Sequence, residues 1–140
     1  MRIDFYHHVT RPLPFCCRLI QTAWQRGSQL MVLVPDPAQC QALDQLLWTF
    51  QPQAFIPHCA PTAAYANQTP IWLATELPPV VTGRVLLNLR LSPLPEAQQF
   101  ERILQIASAD EAELAQARQV ARHYKQLGAE IVYHDMTGRG

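Results

Sequence analysis

The sequence predicts an α/β domain with a mostly parallel central sheet flanked by helices. Short apolar runs bounded by Pro, Gly or Ser alternate with segments whose apolar residues recur at helical spacing, the order that builds β-α-β units. One of these runs, LMVLV at residues 30–34, is apolar at every position, as a strand covered on both faces must be. A chain of 140 residues, 49% hydrophobic and 16% charged, suits one packed core and lacks the composition of a disordered protein. The expected organisation is a single domain over residues 1–135 and a glycine-containing, flexible tail at 136–140.

Residues 2–7 open with Ile3, Phe5 and His7 alternating against Asp4 and Tyr6, the period of a strand. After Pro12, the residues Leu13, Cys16, Cys17, Ile20, Ala23 and Trp24 share a helical face, and Gly27 stands where a C-cap belongs. Residues 29–34 form the second strand. Asp36 and Pro37 then offer an N-cap and a proline at the first helical position, with Gln39 at capping-box spacing. Cys40, Leu43, Leu46, Leu47 and Phe50 make the apolar face of that helix, which ends by Pro52. Phe55, Ile56, Pro57 and His58 form a short proline-broken segment, and residues 59–68 read as a surface loop. PIWLAT (70–75) and RVLLN (84–88) are two further strands, with Pro78 and Pro79 between them. FERILQIA (100–107) fits either a strand or a helical stretch. Ser108 and Glu111 have capping-box spacing ahead of a helix faced by Leu114, Ala117, Val120, Ala121, Tyr124 and Leu127, which stops at Gly128. Residues 130–134 close as a short strand.

Eleven Lys and Arg balance eleven Asp and Glu, so wholesale electrostatic capture of nucleic acid or of an anionic membrane is not expected, and a charged partner must meet a local patch. Twelve prolines against five glycines, with no GxxxxGK[ST], GxGxxG or GxSxG motif, leave no phosphate-cradling loop or nucleophile elbow. No catalytic residue, cofactor or metal is expected. His7, His8, His58, Cys59 and His134 are zinc-ligand types, yet none stands at i, i+4 or CxxC spacing. Cys59 beside His58 makes no nucleophile pair, because neighbours on an extended chain point to opposite sides. Cys16, Cys17, Cys40 and Cys59 read as reduced thiols. The N-terminus lacks a signal-peptide pattern and the apolar runs fall far short of the roughly 20 residues of a membrane span, so the expectation is a cytoplasmic chain.

Two places carry interaction chemistry. Arg118, Arg122 and Lys125 recur at i, i+4 and i+7, within roughly 60° of one another around a helix axis, and residues 118–125 hold no carboxylate. Such a basic stripe beside the apolar face with Val120 and Tyr124 suits an acidic peptide that carries an apolar anchor. The same cations would equally complement the helix dipole on a solvated face. Around Trp48 and Phe55, aromatic residues crowd a helix end where polar loop residues are usual, which marks either a protein interface or added core.

These places are also where the sequence resembles a known family, the chi subunit of bacterial DNA polymerase III holoenzyme. The resemblance rests on IDFYHH, the WQRG that precedes LMVLV, the segment LDQLLWTFQPQAFIPH, the strand RVLLNL and the ending ARQVARHYKQLG. It implies a mononucleotide-binding-like (Rossmann-like) fold without a phosphate loop, and a noncatalytic adaptor in DNA replication. Such an adaptor bridges the psi subunit of the clamp loader to the acidic C-terminal tail of single-stranded DNA-binding protein. By that resemblance, Arg118, Arg122, Tyr124, Lys125 and Val120 would hold the tail, Trp48, Phe55, Ile56 and Pro57 would face psi, and DNA would be met only indirectly. Two rival readings remain at this stage: a small α/β nucleotide-handling or transferase enzyme, and a direct single-stranded DNA binder stacking bases on Trp48 and Tyr124.

Overall fold

The computed structural model describes residues 1–49 and 55–138. Strand β1 (Arg2–Val9) leads into helix α1 (Pro12–Gln25), β2 (Leu30–Leu33) and α2 (Pro37–Thr49). Then come β3 (His58–Cys59), β4 (Ile71–Ala74), β5 (Val85–Asn88) and β6 (Arg102–Ser108), followed by α3 (Leu114–Gln126) and β7 (Glu130–Asp135). The strands form one sheet in the order β3-β4-β2-β5-β6-β1-β7, every neighbouring pair parallel. Handedness then fixes the layers. The crossovers through α1 and α2 run toward the β3 edge and share one face, while the later connections run back toward β7 across the other face, ending with α3.

Alternation along each strand fills both layers. Leu30, Val32 and Val34 pack with Phe15, Cys16, Ile20, Leu43 and Leu47 under α1 and α2. Met31 and Leu33 point the other way, into a layer with Ile3, Phe5, Phe100, Ile103, Val120 and Tyr124 under α3. Coverage on both sides settles the ambiguous FERILQIA segment as strand, since residues 103–107 of β6 are all buried. Asp36 caps α2 as its sequence predicts: the Gln39 N–H donates to Asp36 Oδ1 at 2.8 Å, and the Gln39 side chain reaches the other carboxylate oxygen at 3.1 Å. Phe50 and Pro52, expected at the end of that helix, lie outside the described residues.

Two sequence expectations need correction. The expected loop at 59–68 contains the second residue of β3, which pairs with Trp72 of β4, and a 3-10 turn at Ala66–Gln68; a two-residue edge strand is too short to show a period. Ser108 is not the helix cap, because β6 continues through it to pair with Val9. The chain turns instead through a 3-10 segment, Glu111–Glu113, where Asp110 accepts from the Ala112 N–H at 3.0 Å, and the Ser108 hydroxyl donates to the Glu113 carboxylate. Beyond β7, the Met136 N–H donates to the His7 carbonyl at 2.9 Å, and Thr137 binds Asp135 through its N–H and hydroxyl.

A buried polar triad ties α3 to the sheet. The Tyr124 hydroxyl donates to Gln105 Oε1 at 2.6 Å, Asn88 Nδ2 donates to the same oxygen at 2.9 Å, and Gln105 Nε2 donates to the Arg90 carbonyl at 3.0 Å. Burial pushes the Tyr124 phenol up to about 12. With each donor aimed at an acceptor, the triad sets the height and register of α3 on β5 and β6.

Candidate functional site

A cavity of about 370 Å³ opens between α3 and the carboxyl ends of β6, β1 and β7. Arg118, Arg122 and Lys125 line it together, as their i, i+4, i+7 spacing predicts. Its apolar lining comes from Leu114, Ala117 and Ala121 of the helix and from Tyr133 of β7. The three cations therefore stand beside an apolar surface, with their charge unpaired by any carboxylate among the described residues within salt-bridge reach.

Val120 and Tyr124, expected among the peptide contacts, lie elsewhere. Both are core residues, 1% and 0% exposed, on the side of α3 that meets the sheet, and neither lines the cavity. The helical period explains the difference: apolar residues at this spacing face inward, and the small side chains Ala117 and Ala121, flanking that face, leave the hollow. This burial also removes Tyr124 as a platform for stacking bases.

His7, His8 and Tyr133 also line the cavity; the strand period places His7 on one face of β1, but nothing in the spacing marks His8 or Tyr133 as site residues. Adjacent residues of a strand normally diverge, but β1 is irregular between Tyr6 and Val9, and His8 adopts the left-handed backbone conformation with φ of 60°. The two imidazoles are thereby turned toward each other, their Nδ1 atoms 2.7 Å apart.

At the other edge of the sheet, Trp48 and Phe55 are 53% and 61% exposed, with ring centroids 5.3 Å apart. Pro57 beside them is half-buried, whereas Ile56 is 2% exposed and belongs to the core under α2, so its side chain is no surface contact. His58 lies buried below Trp48, centroids 4.9 Å apart, with Nδ1 2.7 Å from the Ile56 carbonyl. Its Nε2 is 3.0 Å from Asp44 Oδ1 but off hydrogen-bond alignment. This Asp44 and His58 pair had no motif to announce it, since the partners come from a helix and an edge strand.

Another hollow, about 230 Å³, lies at the carboxyl ends of β2 and β5, where outgoing connections diverge to opposite faces. In open α/β sheets that crevice is the usual nucleotide site. Here it is lined by Pro12, Pro35, Asp110 and Glu113. Pro12 and Pro14 remove two N–H donors from the first turn of α1, and Asp36 already takes a first-turn N–H of α2.

The model of the family described as DNA polymerase III chi subunit, HolC, matches residues 1–132. The chain belongs to that family. This chi-family chain is 31% identical over 137 residues to the DNA polymerase III subunit chi of Pseudomonas aeruginosa, with 95% of each chain covered. It is 29% identical over 114 residues to the protein of the same name from Haemophilus influenzae, covering 79% of this chain and 76% of the relative. Both relatives are named as subunits of a DNA polymerase. Among the described residues of this chi-family chain, no helix is long and apolar enough to cross a membrane.

Proposed function

We propose that this chi-family chain is a noncatalytic, cytoplasmic adaptor of the replisome that joins psi, and through it the clamp loader, to the acidic tail of single-stranded DNA-binding protein. The observation that carries the reading is the cavity under α3. Arg118, Arg122 and Lys125 can pair with the aspartates and terminal carboxylate of such a tail, while Leu114, Ala117, Ala121 and Tyr133 offer a terminal Phe an apolar seat. Val120 and Tyr124 serve this site from beneath, by fixing α3. Trp48 and Phe55, with Pro57 at their side, are the proposed psi-facing surface, and Ile56 anchors it from the core.

The enzyme reading is weaker on physical grounds. Two carboxylates and two prolines in the switch-point crevice disfavour a phosphate where a nucleotide-handling α/β enzyme would bind one. The adaptor reading is tested by titrating the full chain with a short acidic peptide ending in Phe. Expected is one saturable site whose affinity falls steeply with salt and drops at least about tenfold for Arg122→Glu. Unchanged binding in that variant, or retarded single-stranded DNA at physiological salt with no partner present, would overturn it.

A further inference from the structure

We propose that His7, His8 and Asp135 form a binding site for a divalent transition-metal ion of the zinc class at the floor of the α3 cavity. The three side chains come from two adjacent strands. In the parallel pairing of β1 with β7, His7 stands opposite Asp135, so both project to the same side of the sheet. His8 joins them only because of the irregularity in β1 and its positive φ. As a result, one donor atom from each residue lies within 4.8 Å of the others. A histidine in the left-handed region costs free energy, and such a conformation persists where the surroundings hold it.

The donor set selects the ion. Two imidazole nitrogens and one carboxylate oxygen match the mixed nitrogen and oxygen coordination of zinc and its neighbours, and they supply too few oxygens for magnesium or calcium. Tetrahedral coordination with bonds of about 2.0–2.1 Å places neighbouring ligand atoms about 3.3 Å apart. His8 Nδ1 is already 3.3 Å from Asp135 Oδ1. The 2.7 Å between the two Nδ1 atoms must open by about 0.6 Å as the ion replaces the proton they share, a movement available to the half-exposed His8 ring. Asp135 is already oriented, since the Thr137 N–H at 3.0 Å and hydroxyl at 2.6 Å both donate to its Oδ1. With three ligands from the chain, the remaining position opens to solvent and the cavity. Arg118, Arg122 and Lys125 line that cavity and oppose a dication, so binding depends on direct coordination rather than on attraction from a distance.

The test requires no peptide and stands apart from the tail-binding reading. Zinc is titrated calorimetrically into the full chain, free of any affinity tag, alongside His8→Asn, Asp135→Asn and Cys40→Ser. Asparagine at position 8 keeps a residue that tolerates positive φ, and circular dichroism checks each fold. Cys40 is the thiol with partial exposure, so it controls for binding elsewhere. Expected is one zinc per chain in the parent and in Cys40→Ser, at least about tenfold weaker binding in the other two variants, and no magnesium binding. Absence of a one-to-one site in the parent, parental affinity in His8→Asn and Asp135→Asn, or loss of binding in Cys40→Ser would each overturn the assignment.

Discussion

The cavity beneath α3 and the aromatic pair at the end of α2 stand toward opposite edges of one sheet and are built from opposite materials. At the α3 edge, long cations reach over small apolar side chains, and the aromatic residue of the helix, Tyr124, is withdrawn into the core. At the α2 edge the aromatic residues are outside and the polar residue, His58, is withdrawn beneath them. The first surface suits a partner that supplies negative charge and a single apolar anchor. The second suits one that removes aromatic area from water. Salt should therefore separate them: attraction through partly exposed cations is screened within about 8–10 Å at ordinary ionic strength, whereas burial of Trp48 and Phe55 is not weakened in that way.

Truncating the withdrawn residue and the exposed one should give opposite outcomes. Tyr124→Ala removes a large core side chain and leaves Asn88 and Gln105 incompletely paired, so a loss of about 3–5 kcal/mol is expected in denaturant unfolding. Trp48→Ala should change stability by no more than about 1 kcal/mol while weakening psi binding by about 2 kcal/mol or more. Should Trp48→Ala unfold the chain and leave psi binding intact, the assignment of inner and outer roles would be reversed.

Salt and alkali sharpen the contrast with smaller effects. Raising salt should weaken acidic-peptide binding and leave psi binding nearly constant, as paired titrations over a salt series would read. Alkali should act in part at the α3 edge, alongside the Cys16 and Cys17 thiols of α1, which burial also pushes up. The Tyr124 phenol is raised from 10.0 to about 12 in the folded chain, so its contribution is fully present below pH 10 and is lost as pH rises through about 12. Tyr124→Phe should flatten the fall in stability across that window, with an initial cost of about 1–3 kcal/mol for leaving Gln105 short of a donor. An alkaline unfolding curve identical to the parent's would place the sensitive group elsewhere.

The two edges also differed in how far the sequence disclosed them. The basic stripe was legible because helical spacing alone brings Arg118, Arg122 and Lys125 together. The fate of Tyr124 was not, since the same spacing is compatible with a core face or the wall of a pocket until the sheet's position is known. Strand positions are legible mostly within a residue or two, and the apolar run 30–34 marks an interior strand because a strand with both faces covered has no polar positions. Spacing rules do not reach places where the backbone leaves its regular path: one irregularity in β1 turns His7 and His8 toward each other. The pairing of Asp44 with His58 was hidden for the converse reason, since it depends on how a helix and an edge strand meet.

The smallest effect asks whether either surface depends on the rest of its helix. Asp36 caps α2 about three turns before Trp48, and Gly128, with φ of 77°, ends α3 three residues after Lys125. Asp36→Ala should cost about 1 kcal/mol by releasing a first-turn N–H, and Gly128→Ala about 1 kcal/mol by forcing a side chain into the left-handed region. Nothing lies within 4 Å of a Cβ built at Gly128, so the penalty there is conformational rather than steric. If each surface is held by its core contacts, Asp36→Ala should leave psi binding unchanged, and Gly128→Ala should leave peptide binding unchanged, at temperatures where both variants remain folded. A selective loss of peptide affinity in Gly128→Ala would instead mean that the last turn of α3, where Lys125 sits, is positioned from its C-terminal end and not by Tyr124 from below.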